Sequence, residues 1–173
     1  MLEVIKRRRA CRKFDSKPVE PEKIKEIVNA GLLAPSGMNR QTPVIIAISD
    51  KDIRDGLMKY NQQIAGDRFK NIDPFYGAPA LLLVVANKEG LSIFDGAACI
   101  ENMLLEATNQ GLASCWIHRA DEEIKLEQVR ALLSFTGLDF DQYIGVGHVI
   151  IGYPDKDYKY SEKIIKEGRV FYK

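Results

Sequence analysis

The chain alternates between two kinds of apolar spacing. Ile24, Ile27, Val28 and Leu32 recur at the helical period behind Pro21, and proline suits a first helical position because the N–H it lacks has no partner there. The pattern predicts a helix that opens at Val19–Glu22 and breaks at Pro35 and Gly37. Residues 2–9 are a shorter candidate, with Leu2 and Ile5 on one face. Val44–Ile48 (VIIAI) and Ala80–Ala86 (ALLLVVA) are unbroken apolar runs and read as buried strands. Between them, Ser49-Asp50 can cap a helix to about Tyr60. Residues 61–77, with Asn61, Gln62, Gln63, Asp73 and Pro74, read as a mobile loop or a broken helix.

A long helix is predicted from Ser92 to Asn109, closed by Gly111. Ile93, Ala97, Ile100, Leu104 and Ala107 form its stripe, and Phe94, Met103 and Leu105 lie on other faces, which predicts a central helix. Leu112–Ile117 reads as a third strand, Asp121 as the cap of a helix to about Leu133, and Val146–Pro154 as a fourth strand ended by proline. The order ααβα(α)βαβαβ predicts an α+β fold, with helices around one mixed central β-sheet. Nothing divides it, so residues 1–173 read as a single domain. The basic tail, about 156–173, contains VFY, a run able to add an edge strand to another chain.

Composition narrows the class. Apolar residues make up 46% and charged residues 28%, the balance of a globular chain, and no apolar run approaches the ~20 residues of a membrane span. Cys11, Cys99 and Cys115 are odd in number and widely spaced, which fits neither a disulfide framework nor a zinc site; the cytoplasm is the expected compartment. His118 and His148 are too few and too far apart for a metal cluster. The net charge of +1 conceals basic ends: residues 2–18 carry seven Lys/Arg against two Asp/Glu, residues 156–173 six against three, and the stretch between them twelve against nineteen. Such clustering suits a local anionic ligand better than a broad polyanion face.

The usual catalytic signatures are missing. The sequence has no phosphate-binding P-loop, no G-x-G-x-x-G after a strand, no G-x-S-x-G elbow and no H-E-x-x-H. Chemistry is then left to a cofactor. Two stretches can serve one. If the first helix ends near Arg9, the extended ACRKF turns Arg12 back toward Arg8 and Arg9, and the guanidinium fork suits phosphate. A solvated basic helix end accounts for the same charges. The second stretch, Ala34–Pro43 (APSGMNRQTP), offers Ser36, Asn39 and Gln41 as hydrogen-bonding groups on a tight turn, or simply connects two elements.

Taken together, RRACRKFDSKPVEPEKIKEIVNAGLLAPSGMNRQTP resembles the opening of the FMN-dependent nitroreductase family, whose pattern is R-R-S-x-R-x-F, a proline-started helix, then A-P-S-x-x-N-x-Q-P before a strand. Arg8, Arg9, Arg12 and Phe14 match the first part, and Ala34, Pro35, Ser36, Asn39 and Gln41 the second. GAPALLLVVA, GLASCWIHRAD and VIIGYPD resemble later landmarks in order, so the likeness spans nearly the whole chain. Ala10 departs from the family's serine and QTP from its Q-P-W, which bears on affinity and pocket shape.

The resemblance implies a nitroreductase-like fold, a homodimer and FMN at the subunit interface. It assigns Arg8 to the FMN phosphate, Arg9 beside it or on the ribityl chain, and Arg12 to the pyrimidine edge of the ring, where a fixed cation raises the reduction potential. Pro35, Ser36, Gly37 and Asn39 would line the ring from the other subunit. Ile117, His118 and Arg119 would reach flavin N5 through main-chain atoms. His118 can also hydrogen-bond a substrate or supply a proton, or have no task. Lys166, with Lys163 next, would complete the phosphate clamp from the tail. Asn71 or Asn61 can approach the ring. The implied activity takes hydride from NADH or NADPH and reduces nitroaromatic, quinone or related acceptors by a ping-pong mechanism. Reductive dehalogenation and flavin fragmentation are alternatives within the family, and a non-enzymatic polyanion-binding module is the alternative outside it.

Overall fold

The apolar character of ALLLVVA is explained by what lies on its two sides. The computed structural model describes residues 1–173, the side chain of Arg68 excepted. Its sheet has four strands, β1 (Pro43–Ile48), β2 (Ala80–Asn87), β3 (Ala113–Ile117) and β4 (Tyr143–Gly152), in the order β1-β2-β4-β3. All three pairings are antiparallel, with Ile46 opposite Leu83, Leu83 opposite His148, and Trp116 opposite Val149. Successive side chains of a strand point to opposite faces. Leu81, Leu83 and Val85 therefore enter one core cluster, and Ala80, Leu82 and Val84 another. Outside the named strands, Ala10 makes an isolated parallel bridge to Ser114 at the outer edge of β3, while the four-stranded sheet itself is antiparallel.

Six helices cover the two faces. They are α1 (Glu3–Arg7), α2 (Pro21–Leu32), α3 (Lys51–Ala65), α4 (Ser92–Asn109), α5 (Ala120–Glu123) and α6 (Glu127–Leu132). Ile27 of α2 and Ile100, Met103, Leu104 and Ala107 of α4 pack on one face. Leu57 of α3, Ile124, Val129 of α6 and Leu133 pack on the other. Pro21 stands at the start of α2 as its chemistry requires, and Asp50 caps α3 by accepting from the N–H groups of Asp52 and Ile53. Among the described residues, no helix is long and apolar enough to cross a membrane.

Several local expectations need correction. α3 continues five residues past Tyr60, because Asn61 faces inward and is fully buried among polar partners. The stretch 121–133 is two helices; Arg130 Nε donates to the Ile124 carbonyl at 2.7 Å in the gap between them. Asp121 caps neither. It accepts from the Gly145 N–H at 3.2 Å and from Lys125. β4 begins at Tyr143, three residues before Val146, since it pairs with the far end of β2. The buried stripe of α4 runs through Gly96, Cys99, Ile100, Met103, Leu104 and Ala107, while Ile93 and Phe94 are exposed. The tail after Asp157 is irregular and forms no strand within the protomer.

One close approach ties β4 to the start of α5. A Cβ on Gly145 would lie 2.2 Å from the Ala120 carbonyl carbon and 2.3 Å from the Asp121 nitrogen, and backbone cannot yield as a side chain can. Gly145→Ala should cost about 1–3 kcal/mol through overpacking. Thermal melts should show a Tm lower by roughly 2–12 °C for a chain of this length.

Candidate functional site

The basic segment is placed by backbone hydrogen bonds. α1 ends because Arg8 turns to extended geometry (φ −53°, ψ 127°). Residues 10–15 then run along the β3 edge, with the Cys11 N–H donating to the Ser114 carbonyl at 2.9 Å. Further along, Asp15 N–H donates to the Tyr153 carbonyl at 2.9 Å and Asp155 N–H to the Lys13 carbonyl at 3.1 Å. Cys11 and Phe14 point into the core, which leaves Arg12 and Lys13 exposed. Lys13 pairs with Asp155, whereas Arg12 has no carboxylate partner among the described residues. Arg8 is half-buried, with Nε 3.7 Å from Glu101 of α4.

Arg8 and Arg12 both act on Cys115 of β3, whereas Arg9 turns back onto α1. Burial pushes the Cys115 thiol up, and the charges of Arg12 and Arg8 both pull it back. Both guanidiniums are thus within electrostatic reach of the same residue of β3. Arg9 folds onto the end of α1, its Nη1 donating to the carbonyls of Lys6 at 2.6 Å and Arg8 at 2.9 Å. It lines a separate hollow of about 260 Å3 with Arg7, Thr108 and Tyr160.

The loop after α2 is strained. Met38, Asn39 and Gln41 all have positive φ, of 52°, 55° and 51°. Asparagine tolerates this conformation; Met38 and Gln41 do not, and each such residue costs about 1–2 kcal/mol. Ser36 Oγ holds the loop by accepting from the Gln41 N–H at 2.9 Å, and Asp95 of α4 accepts from the Gly37 N–H at 3.0 Å. Asn39 and Gln41 pair with each other, and Pro35 is exposed. Asp95 and Glu101 are six residues apart on α4, so their directions differ by about 120° around its axis. Within one protomer the loop and Arg8 thus attach to different sides of that helix.

The third group lies at the end of β3. Ile117 is buried opposite His148, and His118 is exposed with its ring centroid 6.3 Å from that of Trp116. Arg119 is left-handed (φ 80°, ψ 8°), and its guanidinium carbon lies 5.2 Å from the Phe69 ring centroid. The Arg119 N–H has no acceptor among the described residues. Asn61 Nδ2 donates to the His118 carbonyl at 2.9 Å and also to Glu123. Glu123 in turn meets His148 Nε2 at 2.9 Å. His148 is the buried residue its strand position suggests, but only half satisfied: Nε2 meets Glu123, while Nδ1 has no partner among the described residues. Asn61 is occupied in the core, and Asn71 is exposed. Glu123 follows Asp121 and Glu122 in the chain, and nothing in that acidic sequence signals that it is fully buried.

Lys163 and Lys166 are exposed on the tail. The root of the tail is anchored on the basic segment by Tyr158 Oη, 3.3 Å from the Ala10 carbonyl, and by Tyr160, stacked edge-on against Tyr158. Burial and the neighbouring Cys11 push the Tyr160 hydroxyl up to about 12. No sequence pattern announced these two tyrosines as anchors.

Comparison with known proteins agrees with this architecture. An FMN-bound nitroreductase of Bacteroides fragilis NCTC 9343 superposes with a TM-score of 0.90 at 29% identity, covering 98% of this chain and 96% of that one. An FMN-dependent nitroreductase of Clostridium difficile R20291 gives 0.79 at 26% identity, over 99% and 98%. The fold is therefore nitroreductase-like. The sequence model of the nitroreductase family matches residues 5–153, and the chain belongs to that family. A protein of Archaeoglobus fulgidus, provisionally named NADH dehydrogenase/NAD(P)H nitroreductase, is 26% identical over 98% of this chain and 95% of its own length.

All three cysteines are free and buried, and burial is the first cause raising each thiol above its ordinary range. Titration of the native protein with a thiol reagent at pH 8 should show no fast-reacting group, and three should appear after unfolding in guanidinium.

Proposed function

We propose that the protein is an FMN-dependent oxidoreductase that takes reducing equivalents from NADH or NADPH and passes them to nitroaromatic, quinone or related small acceptors by a ping-pong mechanism. The observation that carries this reading is the match of residues 5–153 to the nitroreductase family, with Arg8 and Arg12 both within electrostatic reach of Cys115 on β3. FMN bound to the Bacteroides fragilis protein, and the name of the Archaeoglobus relative, support the cofactor and the reductant.

The donors present fit FMN. A half-buried guanidinium at Arg8 suits a phosphate dianion through charge-assisted, paired hydrogen bonds. Arg12, exposed and without a carboxylate, is a fixed cation for the ring edge on which negative charge builds. The unpaired Arg119 N–H is a donor of the kind a ring nitrogen accepts. When bound, FMN supplies the two-electron chemistry. The chain's residues hold and orient it, and exposed His118 beside Trp116 is placed to hydrogen-bond an acceptor.

A homodimer completes this reading. The strained loop with Pro35, Ser36, Gly37 and Asn39 attaches to a different side of α4 from Arg8, so each protomer offers two half-sites rather than one whole. Leu91, Ile93 and Phe94 at the start of α4 are uncovered, as are Ile164, Ile165, Val170, Phe171 and Tyr172 of the tail. β1 leaves an open sheet edge beside an apolar hollow of about 240 Å3 lined by Val44, Ile46, Phe135 and Leu138, to which a partner's tail can add. That crossing would carry Lys163 and Lys166 to the phosphate.

Purified protein should be yellow and should oxidise NADH or NADPH once a quinone or nitroaromatic is added. Colourless protein whose addition leaves the visible spectrum of FMN unchanged would overturn the reading. Arg8→Ala should raise the FMN dissociation constant roughly 10–100-fold, the scale of hydrogen bonds to a charged group, as read by fluorescence titration.

Deleting residues 161–173 should halve the mass measured by sedimentation and weaken FMN binding. A full-length chain that sediments as a monomer with FMN bound would refute the shared site.

A further inference from the structure

Three buried polar side chains have no part in the cofactor reading so far. Asn61 of α3, Glu123 of α5 and His148 of β4 are each 0% exposed, within a core otherwise built of Leu57, Phe75, Leu83 and Ile124. Polar groups are costly in such a place unless bonded. They form a chain: His148 Nε2 to one Glu123 oxygen at 2.9 Å, Asn61 Nδ2 to the other, and Asn61 Nδ2 again to the His118 carbonyl at 2.9 Å. Both amide hydrogens of Asn61 are thereby used, and the end of the chain is a backbone atom.

That atom determines more than itself. The His118 carbonyl and the Arg119 N–H belong to one planar trans peptide, so drawing the carbonyl into the core aims the N–H the opposite way. The same turn is gripped at Arg119, left-handed without being glycine, by the Glu123 N–H donating to its carbonyl at 2.9 Å and by Phe69 under its guanidinium. A non-glycine residue keeps such geometry only where its surroundings over-determine it.

We infer that Asn61, Glu123 and His148 are positioning residues: they hold the 118–119 peptide with its N–H turned out of the core, as a hydrogen-bond donor to the cofactor ring. The inference rests on the FMN reading for the identity of the ring. A fixed N–H favours a ring nitrogen that carries a lone pair, as in oxidised FMN, over one that carries a hydrogen, as in reduced FMN. The network therefore biases the protein toward the oxidised cofactor.

The test compares Asn61→Leu, Glu123→Leu and Glu123→Gln with the parent, all full length. Glu123→Gln can keep both bonds, with its amide oxygen accepting from Asn61 and its amide nitrogen donating to His148 once that ring is protonated on Nδ1. Without FMN, the backbone amide resonance of Arg119 should move in both leucine variants and stay at its parental position in Glu123→Gln. With FMN, the leucine variants should lose roughly three- to tenfold more affinity for the oxidised than for the reduced form. Glu123→Gln should restore the parental ratio. A folded Asn61→Leu protein with an unmoved Arg119 resonance, or with both affinities changed equally, overturns the inference, and this variant decides if Glu123→Leu does not fold. A parent that takes up no FMN refutes the cofactor reading instead, while the FMN-free resonances still decide whether the network holds the peptide.

Discussion

The arrangement depends on one backbone seam. Residues 10–15 are too short and too polar to fold alone, yet their backbone is hydrogen-bonded first to the β3 edge at Ser114 and then to residues 153–155. Because each bond satisfies a backbone group that would otherwise need water, the segment is positioned by its main chain, and its charged side chains remain free for other uses. Cys11 and Phe14 anchor it from within, Arg8 meets Glu101 of α4, and Arg12 is left exposed. Seven cationic residues in twelve, which would repel one another on an isolated helix, are thus divided among distinct directions.

Two further features share a logic with the seam. The loop at 36–41 and the turn at 118–119 both hold non-glycine residues at positive φ, and each is restrained by a carboxylate from another element. Asp95 restrains the first directly, and Glu123 the second through Asn61 and through its own N–H. Unfavourable backbone geometry persists there because the packed helices leave no relaxed alternative. In both cases an element of the core sets the direction of a surface peptide.

Much of the fold was legible in order and type. The proline-started helix, the two uninterrupted apolar strands, the Asp50 cap and the long fourth helix all follow from local chemistry that acts over a few residues. The errors fell where distant partners intervene. Asn61, Gln62 and Gln63 look like loop residues, yet the helix continues through them because Asn61 has partners in α5 and at the end of β3. Asp121 looks like a cap, yet its carboxylate belongs to Gly145, twenty-four residues away.

By itself, the sequence determined the alternation of helix and strand, the gathering of arginines at the start and the family to which these spacings belong. Period, turn chemistry and charge are properties of neighbouring residues, so they survive without coordinates. Only the tertiary structure decided that Arg8 meets Glu101 while Arg9 turns back onto α1, and that Glu123, Asn61 and His148 meet in the core. Those outcomes depend on which remote segments approach within hydrogen-bonding distance, and no local pattern encodes that approach.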